Sequence, residues 1–562
     1  MAEINKNMTL EDAEKKLSKA VMGIITDDSE GPSPIDTAFD KYHWDSDTLY
    51  FNGGKETDSE DDSVIRISKI RIENFKGVIY GEIDLKHGKK SFTPASKSDI
   101  LGIYGQNGSG KTAVVEAIKL MKSLVSGGSF TALSGIVQND YIKFSQYAEW
   151  INKDSDHAHF VFQFDYIEND KTIRTIEYSF SIGRVQEKTS YINREKAYGE
   201  LAQGMYADYL FKHTETIGFI YDEVLSMGGQ FEGRKTKMQP VIDASNMNCL
   251  FTPASKMKFI VGELTDEEKN ALTKVKAQQS IMGYSFIFSI LYSTLPNDYA
   301  RTMRRVFNFA KSELAIVGND GLNMFESGTT FNDEVFPIYS PDRKYSLSYM
   351  DSTIMDTWEV DHLKKFIESI NPVLDSVIPG IKLVVETEDP LPNQKDEYII
   401  EEMSDEEGSF SDDRFVDLYV EKNGNKVPYR SESIGTRRLI SELSMFVDAY
   451  NDPKKTLVID EFDSGIFEFL LGELLQIFEE SGKGQFIFTS HNLRPLEVLD
   501  KKCICFTTTN PENRYYRLKN IGQTNNLRST YFREIILGDQ DEELYNSTKK
   551  HKLMAAMKRA GK

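Results

Sequence analysis

The sequence predicts an α/β fold organised around a phosphate-binding loop, and three stretches predict it. The apolar run Ile100-Leu101-Gly102-Ile103-Tyr104 leads into Gly105-Gln106-Asn107-Gly108-Ser109-Gly110-Lys111-Thr112, a complete G-x-x-x-x-G-K-[ST] pattern. Behind it Ala113, Val114, Ala117, Ile118, Leu120, Met121, Leu124 and Val125 recur at helical spacing, and Gly127-Gly128 stops the helix. Far downstream, Thr456-Leu457-Val458-Ile459 and Gln485-Phe486-Ile487-Phe488 read as short buried strands leading to Asp460-Glu461 and His491. Strand, glycine turn and helix start suit a triphosphate. Bare N–H groups surround the β-phosphate with the helix dipole behind them, Lys111 reaches the β/γ oxygens, and the Thr112 hydroxyl reaches Mg²⁺. Gly105, Asn107, Gly108, Ser109, Gly110, Lys111 and Thr112 are therefore the candidate nucleotide cradle.

Composition narrows the classes. A chain of 562 residues is too long for one simple core, so about two to four lobes are expected. A net charge of -21 and a pI near 5.0 argue against a basic coat for indiscriminate nucleic-acid binding, while leaving room for a local basic groove. Three cysteines, Cys249, Cys503 and Cys505, cannot build a disulfide framework or a four-thiolate zinc site within one chain, and Cys503 and Cys505 read as strand packing. With neither a signal-like start nor a run of about 18 apolar residues, a soluble cytoplasmic protein without a membrane partner is expected.

Residues 1–62 read as an N-terminal helix, with Leu10, Ala13, Leu17, Ala20, Val21 and Ile24 on one face, followed by an acidic arm ending in Glu56, Asp58, Glu60, Asp61 and Asp62. From Val64 apolar alternation predicts strands, with turns at Asn74-Phe75-Lys76-Gly77 and Asn169-Asp170. Ile70-Arg71-Ile72-Glu73-Asn74-Phe75-Lys76-Gly77 followed by the phosphate loop resembles the opening of ABC-type ATPases of the RecF/SMC/OLD kind. The resemblance implies an ATPase head of mixed sheet, with its N-lobe at 63–200, an inserted helical lobe at 201–335, a C-lobe at 336–525 and a basic helical tail at 526–562. It covers about residues 64–190 and 415–510. Sustained heptads and C-x-x-C are absent, so no long coiled-coil arm or zinc hook is expected. Arg301, Arg304, Arg305 and Lys311 read as a solvated helix face, with a phosphate-backbone track as the alternative. An acidic loop is expected around 387–413, and Asn423-Gly424 reads as a hairpin turn.

The second half of the site follows in family order. Ser433-Ile434-Gly435-Thr436 opens a helix and resembles the family's signature motif, which implies that Ser433, Gly435 and Thr436 approach the γ-phosphate of another subunit's ATP. Asp460 would hold the Mg²⁺ shell, Glu461 would polarise the attacking water, and His491 would hydrogen-bond the γ-phosphate. Phe467 stands where the family's D-loop usually has Asp or His. The family also carries a glutamine that touches Mg²⁺ or the attacking water; Gln138, Gln146 and Gln163 are available, and spacing does not choose among them. The resemblance is closest to antiphage ATPases of the overcoming-lysogenisation-defect and Septu type. It implies an ATP- and Mg²⁺-dependent head-to-tail dimer or higher homo-oligomer that senses an invader and controls a separate effector, a nuclease or toxin. The alternatives are a RecF/SMC-like recombination or repair ATPase, with nucleic acid as a possible partner, and an ATP-held scaffold. Asp539-Gln540-Asp541 imitates half of a Toprim nuclease pattern, and the preferred reading is an acidic turn.

Overall fold

The computed structural model describes residues 62–86, 98–126, 147–193, 210–231, 233–253, 284–290, 298–318, 335–339, 344–348, 352–389, 413–518, 527–537, 541–545 and 549–560, with isolated positions between 255 and 280. The N-terminal arm up to residue 61, Gln138, Gln146, the acidic stretch 390–412 and Asp539 lie outside the described residues. Strand β1 (Val64–Phe75) turns into β2 (Val78–Asp84), and β3 (Asp99–Tyr104) delivers the chain to the glycine-rich loop and helix α1 (Lys111–Val125). β4 (His157–Glu168) and β5 (Lys171–Asn193) form the hairpin whose turn residues Asn169 and Asp170 take φ values of 49° and 60°, left-handed backbone that Asn and Asp tolerate. β6 (Leu210–Phe231) and β7 (Arg234–Asp243) continue an antiparallel sheet of order β2-β1-β4-β5-β6-β7.

Residues 210–243 thus correct the helical expectation for that segment. The register slips between Leu225 and Ser226 and between Met227 and Gly229, and β5 slips against β6 at two more places. Each bulge inserts a residue and flips the alternation that marks a strand in sequence, so Ile220 and Leu225, an odd number of positions apart, are both buried. Isolated helical positions between 266 and 280 are followed by α2 (Phe286–Ile290) and α3 (Asp298–Asn308), and after a short π-helical turn at Phe309–Glu313 β8 (Leu314–Val317) enters the central sheet. Arg305 of α3 is buried, its guanidinium donating to Ser63 and pairing with Glu313 at 2.8 Å, so it belongs to no solvated face and tracks no phosphate backbone.

A short pair, β9 (Val335–Tyr339) and β10 (Lys344–Ser348), precedes β11 (Thr353–Asp356), α4 (Thr357–Val377), β12 (Ile381–Glu388), β13 (Asp413–Lys422) and β14 (Asn425–Pro428). Asn423 and Gly424, at φ 50° and 81°, make the β13–β14 turn. The chain then runs through α5 (Ile434–Asn451), β15 (Thr456–Ile459), α6 (Glu468–Ser481), β16 (Gln485–Ser490), α7 (Pro495–Val498), β17 (Ile504–Thr507), β18 (Tyr515–Tyr516), α8 (Leu527–Leu537) and α9 (Lys550–Ala560).

The central sheet has the order β18-β17-β3-β16-β15-β8, parallel except for β18 at its edge. Every residue of β15 and β16 is buried, as a parallel strand covered on both faces requires. α1 lies between the two large sheets, its Val114, Val115, Ile118 and Met121 sharing one core with Ile70 and Phe160 on one side and Leu101, Ile103 and Ile487 on the other. The far face carries Phe446 of α5 and Leu471, Leu475 and Phe478 of α6 against Phe486 and Phe488. Each such side chain contributes roughly 1.5–3 kcal/mol on burial. Ile440 and Leu443 join α5 to a third core under α4. Because β3, β15 and β16 are parallel and paired in step, Tyr104 with Ser490 and Ile459 with Phe488, the segments following all three leave the same edge. Carboxyl ends of parallel strands are where α/β sheets bind ligands. Among the described residues no helix is long and apolar enough to cross a membrane.

Candidate nucleotide site

The loop after β3 turns on glycines in left-handed backbone that other residues rarely adopt. Gly108 and Gly110 hold φ of 74° and 91°, and Gly110 caps α1 in the left-handed region. Lys111 is buried, and its ammonium donates to the loop carbonyls of Gly105 at 2.8 Å and Gln106 at 3.1 Å. Burial pulls its pKa down, while Asp460, Glu461 and Asp463 pull it back up, so three carboxylates already face the cation. Thr112 follows on the first turn of the helix, half-buried.

One wall of the loop comes from the C-terminal hairpin. The Thr507 hydroxyl lies 2.5 Å from the Ser109 hydroxyl, Tyr515 donates to the Gly110 carbonyl at 2.9 Å, and Arg514 donates to the Gly77 carbonyl at 2.7 Å. A Cβ on Gly105 would fall 1.7 Å from Thr507 Oγ1 and 3.0 Å from its Cβ. Gly105→Ala should therefore cost about 1–3 kcal/mol of stability through overpacking. In a Thr507→Ala background the same change should cost less, with a coupling of about 0.5–3 kcal/mol in a thermal-unfolding double-mutant cycle. Strict additivity would place the hairpin away from Gly105.

Opposite the loop, Asp460 ends β15 and is 1 % exposed. Its Oδ1 accepts from the Thr489 hydroxyl at 2.5 Å, and its Oδ2 is buried with no hydrogen-bond partner. The same Thr489 oxygen accepts the Glu461 backbone N–H at 2.8 Å, so one hydroxyl orients both carboxylate residues. Glu461 sits at φ 53°, a left-handed conformation costing a non-glycine residue about 1–3 kcal/mol. Its Oε1 is 3.8 Å from His491 Nε2. Asp463 accepts the backbone N–H groups of His491 and Asn492 at 3.0–3.2 Å and so holds the histidine segment to the carboxylate loop. Burial first, then the Lys111 charge, draws the His491 pKa below its ordinary value against Asp463, Glu461 and Asp460. In either protonation state the imidazole can donate a ring N–H toward an anion.

This set fits a magnesium triphosphate. The unpartnered Asp460 Oδ2 is a buried acceptor, costly unless something meets it, and Thr112 supplies the hydroxyl that with phosphate oxygens would complete a magnesium shell. Mg²⁺, when bound, supplies charge neutralisation on the phosphate oxygens. With that group bound, Lys111 would exchange its loop carbonyls for phosphate oxygens, Glu461 would hold a water by hydrogen bond, and His491 would offer its N–H.

The signature-like residues form a separate cluster. Ser433 caps α5, its hydroxyl accepting the Thr436 N–H at 3.1 Å and lying 2.8 Å from the Thr436 hydroxyl. A Cβ on Gly435 would have Gly465 as its nearest neighbour, with the carbonyl oxygen at 3.1 Å, rather than the phosphate loop. Phe467, at the start of α6, is 70 % exposed beside Phe469, with ring centroids 5.7 Å apart. Gln163 sits mid-strand in the antiparallel sheet opposite Lys69 and Glu177. Thr489 and Asp463 are the orienting residues that carried no role in the sequence reading. Their signal was position alone, one strand-end hydroxyl before His491 and one carboxylate after Glu461.

Residues 69–281 match a family model described as "AAA domain", and residues 322–497 match one described as "AAA domain, putative AbiEii toxin, Type IV TA system". Solved structures similar to the chain include the SMC head domain from Thermotoga maritima, at 12% identity and a TM-score of 0.29, covering 81% of this chain and 100% of that one. Another is the Smc head domain with an extended coiled coil bound to the C-terminal domain of ScpA, derived from Pyrococcus furiosus, at 12% identity and a TM-score of 0.33, covering 81% of this chain and 96% of that one. No curated protein matches. The phosphate loop lies within one AAA-domain match, and the carboxylate pair and His491 lie within the other. The fold is α/β, a largely parallel sheet and an antiparallel sheet sharing one core around the helix that follows the phosphate loop.

Proposed function

We propose that the chain is a Mg²⁺-dependent ATPase that dimerises head-to-tail around ATP and acts as the sensor and regulator of a separate effector, a nuclease or toxin, in antiphage defence. The observation that carries the ATPase reading is the convergence of Lys111, the unpartnered Asp460 oxygen, the left-handed Glu461 and His491 at one sheet edge. A scaffold that only held ATP would have no use for a left-handed Glu461, since strain of that kind persists where surrounding bonds maintain it for a task. The toxin named in one matched family description supports a link to an effector. The inward Arg305 removes one residue from the basic cluster that a DNA-repair reading could have used.

The test is direct. Purified full-length protein should convert ATP to ADP and phosphate with Mg²⁺ and stop when the metal is chelated, while leaving DNA and RNA intact with Mg²⁺ or Mn²⁺. Nuclease activity abolished by both Asp539→Ala and Asp541→Ala would place the effector in this chain and overturn the separate-effector reading. Absence of turnover with ATP bound would leave a scaffold.

A further inference from the structure

The helix that opens at Ser433 also reaches its own chain's carboxylate pair. Arg438, one turn inside α5, points inward with its side chain 12% exposed. Its Nη2 donates to the backbone carbonyls of Asp460 at 2.7 Å and Glu461 at 3.0 Å, and its Nε donates to Glu442 Oε1 at 2.5 Å. Glu442 is 1% exposed, so this pair is fixed inside the protein and not a surface ion pair. Burial lifts the Glu442 carboxyl to about 7 against the pull of Arg438.

The choice of acceptors matters. A guanidinium this close to two acidic residues takes their backbone carbonyls, which leaves both carboxylates for other work. Glu461 is the residue whose peptide needs holding, because its φ of 53° is left-handed. Thr489 holds that peptide from the N–H side, and on the carbonyl side the Ser464 N–H, at 2.8 Å, is joined by Arg438. The Ser464 bond stays within the loop, whereas Arg438 ties that loop to α5, and a carboxylate displaced by about 1 Å can cost about 10²-fold in rate.

We propose that Arg438, buttressed by Glu442, is a positioning residue that clamps the left-handed peptide of Glu461 and so aims its carboxylate. The rate consequence rests on the ATPase reading above, whereas the clamp itself is a property of the backbone. The same helix presents Ser433 and Thr436 one turn away, so the clamp ties the signature end of the chain to its own water-holding residue.

Two readouts test it. Arg438→Ala should lower kcat by about 10²-fold with the ATP dissociation constant within about twofold of wild type. Arg438→Lys should fall nearly as far, because an ammonium cannot span both carbonyls and Glu442. Glu442→Gln, which keeps an acceptor for Arg438 Nε, should retain most activity where Glu442→Leu does not. Independently of turnover, amide exchange across residues 457–466 without nucleotide should quicken about tenfold in Arg438→Ala, while the peptide across β3 stays unchanged. Unchanged exchange at 457–466, or a parallel loss of kcat and ATP affinity, overturns the clamp. Quickened exchange in a protein whose wild type hydrolyses nothing supports the clamp and sinks the ATPase reading instead.

Discussion

Glu461→Gln should keep ATP bound and lower turnover by about 10²–10⁴-fold. The substitution preserves side-chain shape and leaves intact the bonds that fix the residue, the Thr489 hydroxyl on its N–H and Arg438 on its carbonyl. What it removes is the negative charge that lies 3.8 Å from His491 and that, on the proposed mechanism, accepts from water. Lys111→Ala should do the opposite, weakening binding first, because Lys111 is the buried cation of the loop and its loss leaves Asp460, Glu461 and Asp463 uncompensated around a polyanion. Calorimetric ATP binding and phosphate release, measured on both variants, separate the two effects. Equal hydrolysis by wild type and Glu461→Gln would remove Glu461 from the reaction.

The parts of this site that could be read from sequence are those written in consecutive residues. The phosphate loop announces itself because its glycines, lysine and threonine act through backbone they carry themselves, and the turns at Asn169-Asp170 and Asn423-Gly424 do so because left-handed φ limits which residues serve. Asp460 and His491 were legible as ends of buried strands, a pattern of short apolar runs. The contacts that orient them were not. Thr489 reaches Asp460 from the neighbouring strand, Arg438 reaches Glu461 from a preceding helix, and Thr507 closes on Ser109 from nearly four hundred residues away. Such pairings are decided by strand order, which no local pattern encodes. Arg305 shows the reverse error, a basic residue on a helix with polar neighbours that reads as solvated until Ser63 and Glu313 are folded against it. The strands β6 and β7 were hidden for a third reason, the bulges that repeatedly reset their alternation.

Mixing two inactive proteins should restore activity. In a head-to-tail dimer each nucleotide lies between the phosphate loop of one chain and the signature cluster of the other, so a Lys111→Ala chain paired with a signature-mutant chain leaves one of the two interfaces free of both lesions. If pairing is random and the sites are independent, an equal mixture should recover about a quarter of wild-type turnover. The choice of signature mutation follows from the structure. Gly435→Asp is unsuitable, since a Cβ there meets the Gly465 carbonyl oxygen at 3.1 Å and damages the chain's own carboxylate loop. Ser433 is exposed, and its side-chain bonds stay local, to the N–H and hydroxyl of Thr436 at the start of α5. Ser433→Asp keeps that cap, because Asp serves as well as Ser at a helix N-terminus, and sets a negative charge where the partner's triphosphate would dock. Ser433→Arg, which gives up the cap at about 1 kcal/mol, serves as the bulkier second lesion. Each variant alone should bind the other's partner surface yet turn over little ATP, and phosphate release should rise on mixing and fall again when either partner also carries the other's lesion. Full activity in every single variant, with nothing gained on mixing, would make the site complete within one chain and the cluster at Ser433 an ordinary helix cap.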